Sequence, residues 1–256
     1  MLTNPTIDGL RELKLDVMAT SLQEQRTSAT YDALPFEERL GLLVDQEILE
    51  RKNRRLRRLL SLAKLRTNAV IENIDFKTSR GLKRSMVLSL GESHWVNEHH
   101  NVVVVGATGV GKTYLACALA NSAIRHGHSA LYLRAPRLFE ELSIARVDGR
   151  LPKLMASYAR VEILVIDDLF LRPLDVKQAS DFLEIIEDRH QLRSTIVASQ
   201  LPVADWHAAI SDETIADAIL DRLLHNAHRI DLSGESLRRN DSFVNKEQPA
   251  QSETSV

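Results

Sequence analysis

Val102–Val105 is an unbroken β-branched run, the pattern of a strand buried on both faces, and Tyr114 to Ile124 contains no Pro or Gly to interrupt a helix. Short apolar runs recur at Ala130–Leu133, Val161–Ile166, Thr195–Ala198 and His228–Leu232. Helical patterning over Arg137–Ser143, Val176–His190 and Asp212–Leu224 separates them. Such alternation predicts an α/β fold, a mostly parallel sheet covered by helices, with ligands at the carboxyl ends of the strands.

Upstream the period changes. Residues 7–28 and 36–66 are expected to be helical, with Pro35 opening the second segment. Leu40, Leu43, Val44, Ile48, Leu56, Leu59, Leu60 and Leu62 recur there at spacings near three and four. Residues 1–66 therefore read as a small helical domain and 67–100 as a connecting segment with turns at Gly81 and Gly91. Within the connection, Ile71, Ile74, Phe76, Leu82, Met86, Leu88, Leu90 and Trp95 suggest packing against the main domain. A core or hinge role suits Phe76 and Trp95 better than stacking on a base. Residues 101–240 form the expected core, and the polar end, 241–256, is expected to be a disordered tail.

Composition narrows the picture. The 256 residues carry 33 Lys and Arg against 35 Asp and Glu, a net charge of -2, so overall charge points to no polyanionic partner. Its distribution does. Arg51, Lys52, Arg54, Arg55, Arg57, Arg58, Lys64 and Arg66 fall in one acid-free stretch, whereas Glu37–Glu50 has the opposite bias. A cationic amphipathic helix of this density can neutralise several phosphates of duplex DNA, although a solvated face or a partner or membrane surface remains an alternative. No stretch approaches 18 apolar residues, the N-terminus has no basic-then-apolar leader, and Cys117 is the single cysteine, so the expectation is a cytoplasmic protein with no membrane partner and no disulfide.

The segment between Val105 and Tyr114 supplies the chemistry. Gly106, Ala107, Thr108, Gly109, Val110, Gly111, Lys112 and Thr113 spell a complete G-x-x-x-x-G-K-[ST] phosphate loop between a predicted strand and a predicted helix. Gly106 and Gly111 let the backbone wrap an anion, and the helix start offers unpaired N–H groups. Lys112 brings a charge to the β and γ phosphates, and the Thr113 hydroxyl is placed for Mg²⁺. The apolar run Ile163–Ile166 ends in Asp167 and Asp168. Asp167 is the expected magnesium carboxylate and Asp168 the group that polarises the attacking water, on a shorter arm than a glutamate. Gln200 is the first choice, Ser199 the second, for a polar side chain that orients the water, although a Ser-Gln-Leu-Pro turn can simply end a strand.

Arg222 sits on an otherwise apolar helix, where it suits a charge offered to the triphosphate of a neighbouring subunit; pairing with Asp217 or Asp221 is the alternative. The nine histidines come without H-E-x-x-H or C-x-x-C spacing, and G-x-S-x-G is absent, which argues against a zinc site and a serine hydrolase. A small-molecule kinase would need lid arginines, for which Arg146, Arg150 and Lys153 are available, but it has no use for the cationic helix.

With these residues in place, the chain resembles the IstB-like ATP-binding proteins, helper subunits of bacterial insertion sequences, and is more distantly similar to the helicase loader DnaC. The resemblance is carried by Asn101–Ala116, Val165–Leu169, Ala198–Pro202 with Trp206 and His207, Asp217–Ile230 and Gly234–Arg238, with Ile74–Phe76, Arg80–Leu82 and Leu88–Glu92 upstream. It implies a P-loop NTPase of AAA+ type preceded by a small helical domain, with a truncated or absent lid because the chain after Leu232 is short. It also implies ATP and Mg²⁺ as cofactors, slow ATPase activity, assembly as a homo-oligomer on duplex DNA with nucleotide at the subunit interfaces, and delivery of target DNA to a partner transposase. By position it assigns the nucleotide loop to Gly106 through Tyr114, the metal and hydrolytic acids to Asp167 and Asp168, and the polar sensor to Gln200. The intersubunit finger falls on Arg222 and the second sensor on Arg238. A helicase-loading adaptor would share the same core.

Overall fold

The computed structural model describes residues 5–76 and 80–237. They fall into two compact units that divide between Ser61 and Leu62. The expected tail and Arg238 lie outside the described residues.

The first unit contains α1 (Pro5–Glu12), α2 (Asp16–Thr27) and most of α3 (Phe36–Ala63). The single helix expected over 7–28 is two: Lys14 adopts a left-handed φ of 58°, and α2 starts afresh at Asp16. The first backbone groups of α2 are satisfied from a distance, because the buried Glu47 carboxylate of α3 accepts from Val17 N and Met18 N at 3.1 and 3.2 Å. Arg51 donates to the same carboxylate at 2.8 Å, and this hydrogen bond is the main reason the Glu47 pKa lies below its usual value. The helix expected over 36–66 stops at Ala63, where Lys64 turns left-handed at φ 50°.

The second unit begins with α4 (Arg84–Gly91) and α5 (His94–Asn97). It continues through β1 (Asn101–Gly106), α6 (Lys112–Arg125), β2 (Ala130–Arg134), α7 (Ala135–Val147), α8 (Leu151–Arg160) and β3 (Ile163–Leu169), and closes with α9 (Val176–Arg189), β4 (Ser194–Ser199), α10 (Glu213–Leu224) and β5 (Ala227–Leu232). The five strands form one wholly parallel sheet in the order β2-β3-β4-β1-β5. Val103, Val105, Leu164, Ile166 and Val197 share a core with side chains of α7, α8, α9 and α10. Their alternate neighbours, among them Val102, Val104 and Val165, are also fully buried and face the other way, toward α6. Burial on both faces is what requires unbroken apolar strands, each valine contributing roughly 1.5–3 kcal/mol.

The helix α8, which the sequence pattern had not marked, buries Met155 and Tyr158 against that core. Trp95 is a core residue whose indole N–H donates to Leu90 O at 2.9 Å. Phe76 lies under the Arg84 guanidinium, 5.8 Å from its ring centre. Buried Arg189 bonds the carbonyls of Tyr158, Val161, Glu162 and Ser194, tying the end of α9 to the sheet.

Candidate nucleotide-binding site

The loop between β1 and α6 lies at the carboxyl edge of the sheet and borders a cavity of about 490 Å³. Gly106 and Gly109 have φ of +153° and +88°, and neither has room for a side chain. A Cβ on Gly106 would stand 2.2 Å from the Leu232 carbonyl oxygen of β5, and one on Gly109 would stand 2.0 Å from Ser236 Oγ. Leu237 N also donates to Gly109 O at 3.0 Å, so the chain after β5 turns back across the loop. Gly111 caps α6 from a left-handed conformation.

Lys112 is buried, and its ammonium is held by Gly106 O and Ala107 O at 2.7 and 2.8 Å. Val110 is buried, and its carbonyl accepts from Arg80 at 3.1 Å. Thr108 Oγ1 donates to Gln200 Oε1 at 2.7 Å. Tyr114, in the first turn of α6, lines the cavity beside Thr113. Because β4 lies between β1 and β3, Gln200 at its end stands between the loop and the acids. Ser199 instead points inward and donates to Leu169 O at 2.7 Å, a structural bond.

The acids are supplied by β3. Asp167 is wholly buried; its Oδ2 accepts from Thr113 Oγ1 at 2.8 Å and from the Tyr132 hydroxyl at 2.6 Å. Asp168 N donates to Asp167 Oδ1 at 3.1 Å, and Arg66 brings a guanidinium nitrogen to 3.8 Å of Oδ2. Burial first, and then the Asp167 carboxylate, push the Tyr132 phenol well above its ordinary value. Hydrogen bonding to Tyr132 is likewise the largest influence raising the Arg66 pKa. The β3–β4 register shifts between Ile166 and Leu169, and there Asp168 takes a left-handed φ of 58°. This kink turns its carboxylate to Arg134, which grips Asp168 Oδ2 through Nε at 2.9 Å and a terminal nitrogen at 2.7 Å.

The donor set suits magnesium and a polyphosphate. Among the described residues no cluster of three metal-ligating side chains occurs. One carboxylate beside one hydroxyl is what Mg²⁺ uses when phosphates and water complete its octahedron. The cradle of the loop, the start of α6 and Lys112 provide the anion side.

Four contributors escaped the sequence reading: Tyr132, Arg134, Arg80, and Arg66 in this role. Arg134 closes an otherwise apolar strand at its carboxyl end, which was its one available signal, whereas Tyr132 stands mid-strand inside the apolar run and gave none. Two other groups of candidates stand elsewhere. Arg222 does not line the cavity; it pairs with Glu187 of α9 at 2.9 Å rather than with Asp217 or Asp221. Arg146 pairs with Asp181 and Arg150 with Asp148, and neither they nor Lys153 border the cavity, so the lid that a kinase would need is not built from them. In the cationic block, Arg51 and Arg57 pair with Glu47 and Glu50, and Arg51, Lys52, Arg54, Arg55, Arg57, Arg58 and Lys64 are all exposed. No helix among the described residues is long and apolar enough to cross a membrane.

Residues 8–244 match the model of the IstB-like ATP binding protein family. An insertion-sequence ATP-binding protein of Sinorhizobium fredii is 48% identical over 240 residues, spanning 94% of this chain and 98% of its own. The insertion-sequence IS21 ATP-binding protein of Pseudomonas aeruginosa is 31% identical over 229 residues, spanning 90% and 86%. Among solved structures, DnaI superposes with a TM-score of 0.57 at 23% identity over 64% of this chain and 91% of that one. The DnaC helicase loader gives 0.57 at 22% over 66% and 99%. These likenesses establish an AAA+-type P-loop fold. On sequence, fold and the geometry of its loop, the chain belongs to the IstB-like ATP-binding family of insertion-sequence proteins.

Proposed function

We propose that this protein is an ATP-dependent helper ATPase that assembles on duplex DNA and delivers target DNA to a partner transposase, which it stimulates. The reading is carried by the Thr113–Asp167 hydrogen bond at 2.8 Å at the foot of a complete phosphate loop, in a chain of this family. Lys112, the loop N–H groups and the start of α6 would bind the triphosphate, and Thr113 with Asp167 would hold Mg²⁺. Magnesium held there would neutralise phosphate charge. Asp168 takes a proton from the attacking water, which it reaches once Arg134 releases its carboxylate, and Gln200 orients that water. Arg222, remote from its own cavity, serves the nucleotide of a neighbouring subunit, so turnover depends on assembly.

Nucleotide-driven assembly aligns the exposed cations of α3, Lys52, Arg54, Arg55 and Arg58, with Lys64 just past its end, into a surface that one subunit lacks. DNA affinity is then a multivalent property gated by ATP. A gel-shift titration of duplex DNA with and without a non-hydrolysable ATP analogue tests this. Tighter binding with the analogue, steeply reduced by salt, is the expected result, and equal affinity in both states refutes the gating. Delivery is tested by adding the protein with ATP to the transposase encoded beside it. Strand-transfer yield unchanged by the addition refutes that role.

A further inference from the structure

Arg66 belongs to the cationic block by sequence but stands at the loop cavity in the structure, three residues past the end of α3. Its guanidinium lies 3.8 Å from Asp167 Oδ2, and its side chain keeps 43% of its exposure, whereas the Asp167 side chain has none. Thr113 and Tyr132 give that oxygen two neutral hydrogen bonds, which spread its charge without cancelling it. A wholly buried carboxylate needs a counter-charge, and Arg66 supplies a full one within ion-pair distance.

We infer that Arg66 is a nucleotide-site residue: it is the counter-cation of Asp167 when no divalent ion is bound, and it turns to the phosphates when nucleotide and metal are bound. The inference rests on the reading of this cavity as an ATP and magnesium site. Three considerations support the exchange. A guanidinium and a divalent cation cannot share one carboxylate oxygen without repulsion. A triphosphate places several negative charges within the same cavity that Arg66 already lines. The half-exposed arginine arm, held by the Tyr132 hydroxyl and Asp167, has solvent into which it can re-aim, and its five donors suit phosphate oxygens.

The test uses the full chain as wild type, Arg66→Gln and Arg66→Lys. Mn²⁺ binding without nucleotide is read from the spin-resonance signal of the free ion, and the affinity for a fluorescent ATP analogue is read in magnesium. Arg66→Gln is expected to bind Mn²⁺ about three- to tenfold more tightly, having lost its competitor, and the analogue about three- to tenfold more weakly. Arg66→Lys keeps the charge, so its Mn²⁺ affinity should match wild type while nucleotide binding weakens. Unchanged values for both ligands in Arg66→Gln overturn the inference, as does a lysine variant whose Mn²⁺ affinity equals that of the glutamine variant. DNA binding without nucleotide should be the same in Arg66→Gln as in wild type; a loss equal to that of Arg58→Gln would return Arg66 to the DNA face. Failure of the wild type itself to bind the analogue strikes the nucleotide reading rather than this one.

Discussion

Tyr132→Phe removes one hydroxyl from the wall of the site and leaves a ring of the same shape, only 8% exposed, in place. What is lost is a 2.6 Å hydrogen bond to Asp167 Oδ2, together with the hydroxyl that Arg66 hydrogen-bonds. A hydrogen bond to an ionised acceptor contributes about 1.5–3 kcal/mol, and no cavity term adds to it because the ring is retained. In a chain of this size each kcal/mol moves the thermal midpoint by about 2–4 °C, so the variant should melt roughly 3–12 °C lower. The measurement is circular dichroism melting in EDTA, repeated with magnesium and a non-hydrolysable ATP analogue. Under the second condition the deficit should shrink, because a divalent ion then meets the charge that Tyr132 had helped to spread. Repeating the substitution in an Asp167→Asn background isolates the pair, and the coupling should exceed about 1 kcal/mol. A midpoint within 1 °C of wild type in EDTA would refute the claim that Tyr132 supports the buried carboxylate.

Four further outcomes follow from the same geometry. Asp168→Asn should keep nucleotide affinity within about twofold and lower turnover by about 100-fold or more, measured as phosphate release. Arg222→Ala should leave binding to dilute subunits unchanged and abolish the rise of specific activity with protein concentration; its broken surface pair with Glu187 should cost no more than about 1 kcal/mol by urea unfolding. Replacing Arg54, Arg55 and Arg58 together by glutamate should weaken binding alike on unrelated duplexes and flatten its dependence on salt, by filter binding. The last outcome concerns alkaline pH. The Tyr132 phenol is raised above 10 in the folded chain, so from about pH 10 upward the folded state holds a proton that the unfolded chain has lost, and stability falls as pH rises through that window. Tyr132→Phe should reduce this alkaline slope in urea melts, leaving the share that Tyr158, also raised by burial, contributes.

Much of the sheet was legible because each strand is covered on both faces and must be apolar throughout, so Val102–Val105 and Ile163–Ile166 announce themselves. The phosphate loop was legible because its signature is local. The break at Lys14 was not, since a left-handed lysine has no residue preference to betray it and the apolar spacing runs on across it. The ring of groups around Asp167 was hidden for another reason. Tyr132 reaches it only because β2 pairs beside β3, and Arg134 meets Asp168 only because the strand kinks there. Arg66, in turn, has the composition of the block that precedes it, and only the fold separates it from those neighbours.

The tight approach of Leu232 and Ser236 to the loop changes how its glycines can be used in experiments. An alanine at 106 or 109 collides with the chain's own downstream segment whether or not a nucleotide is present. Such variants report mispacking of the site as much as lost affinity, and their inactivity is ambiguous. Lys112 and Thr113 can be trimmed without forcing backbone apart, so conservative changes there, Lys112→Arg or Thr113→Ser, which keep a charge or a hydroxyl, attribute a binding defect to the ligand more directly.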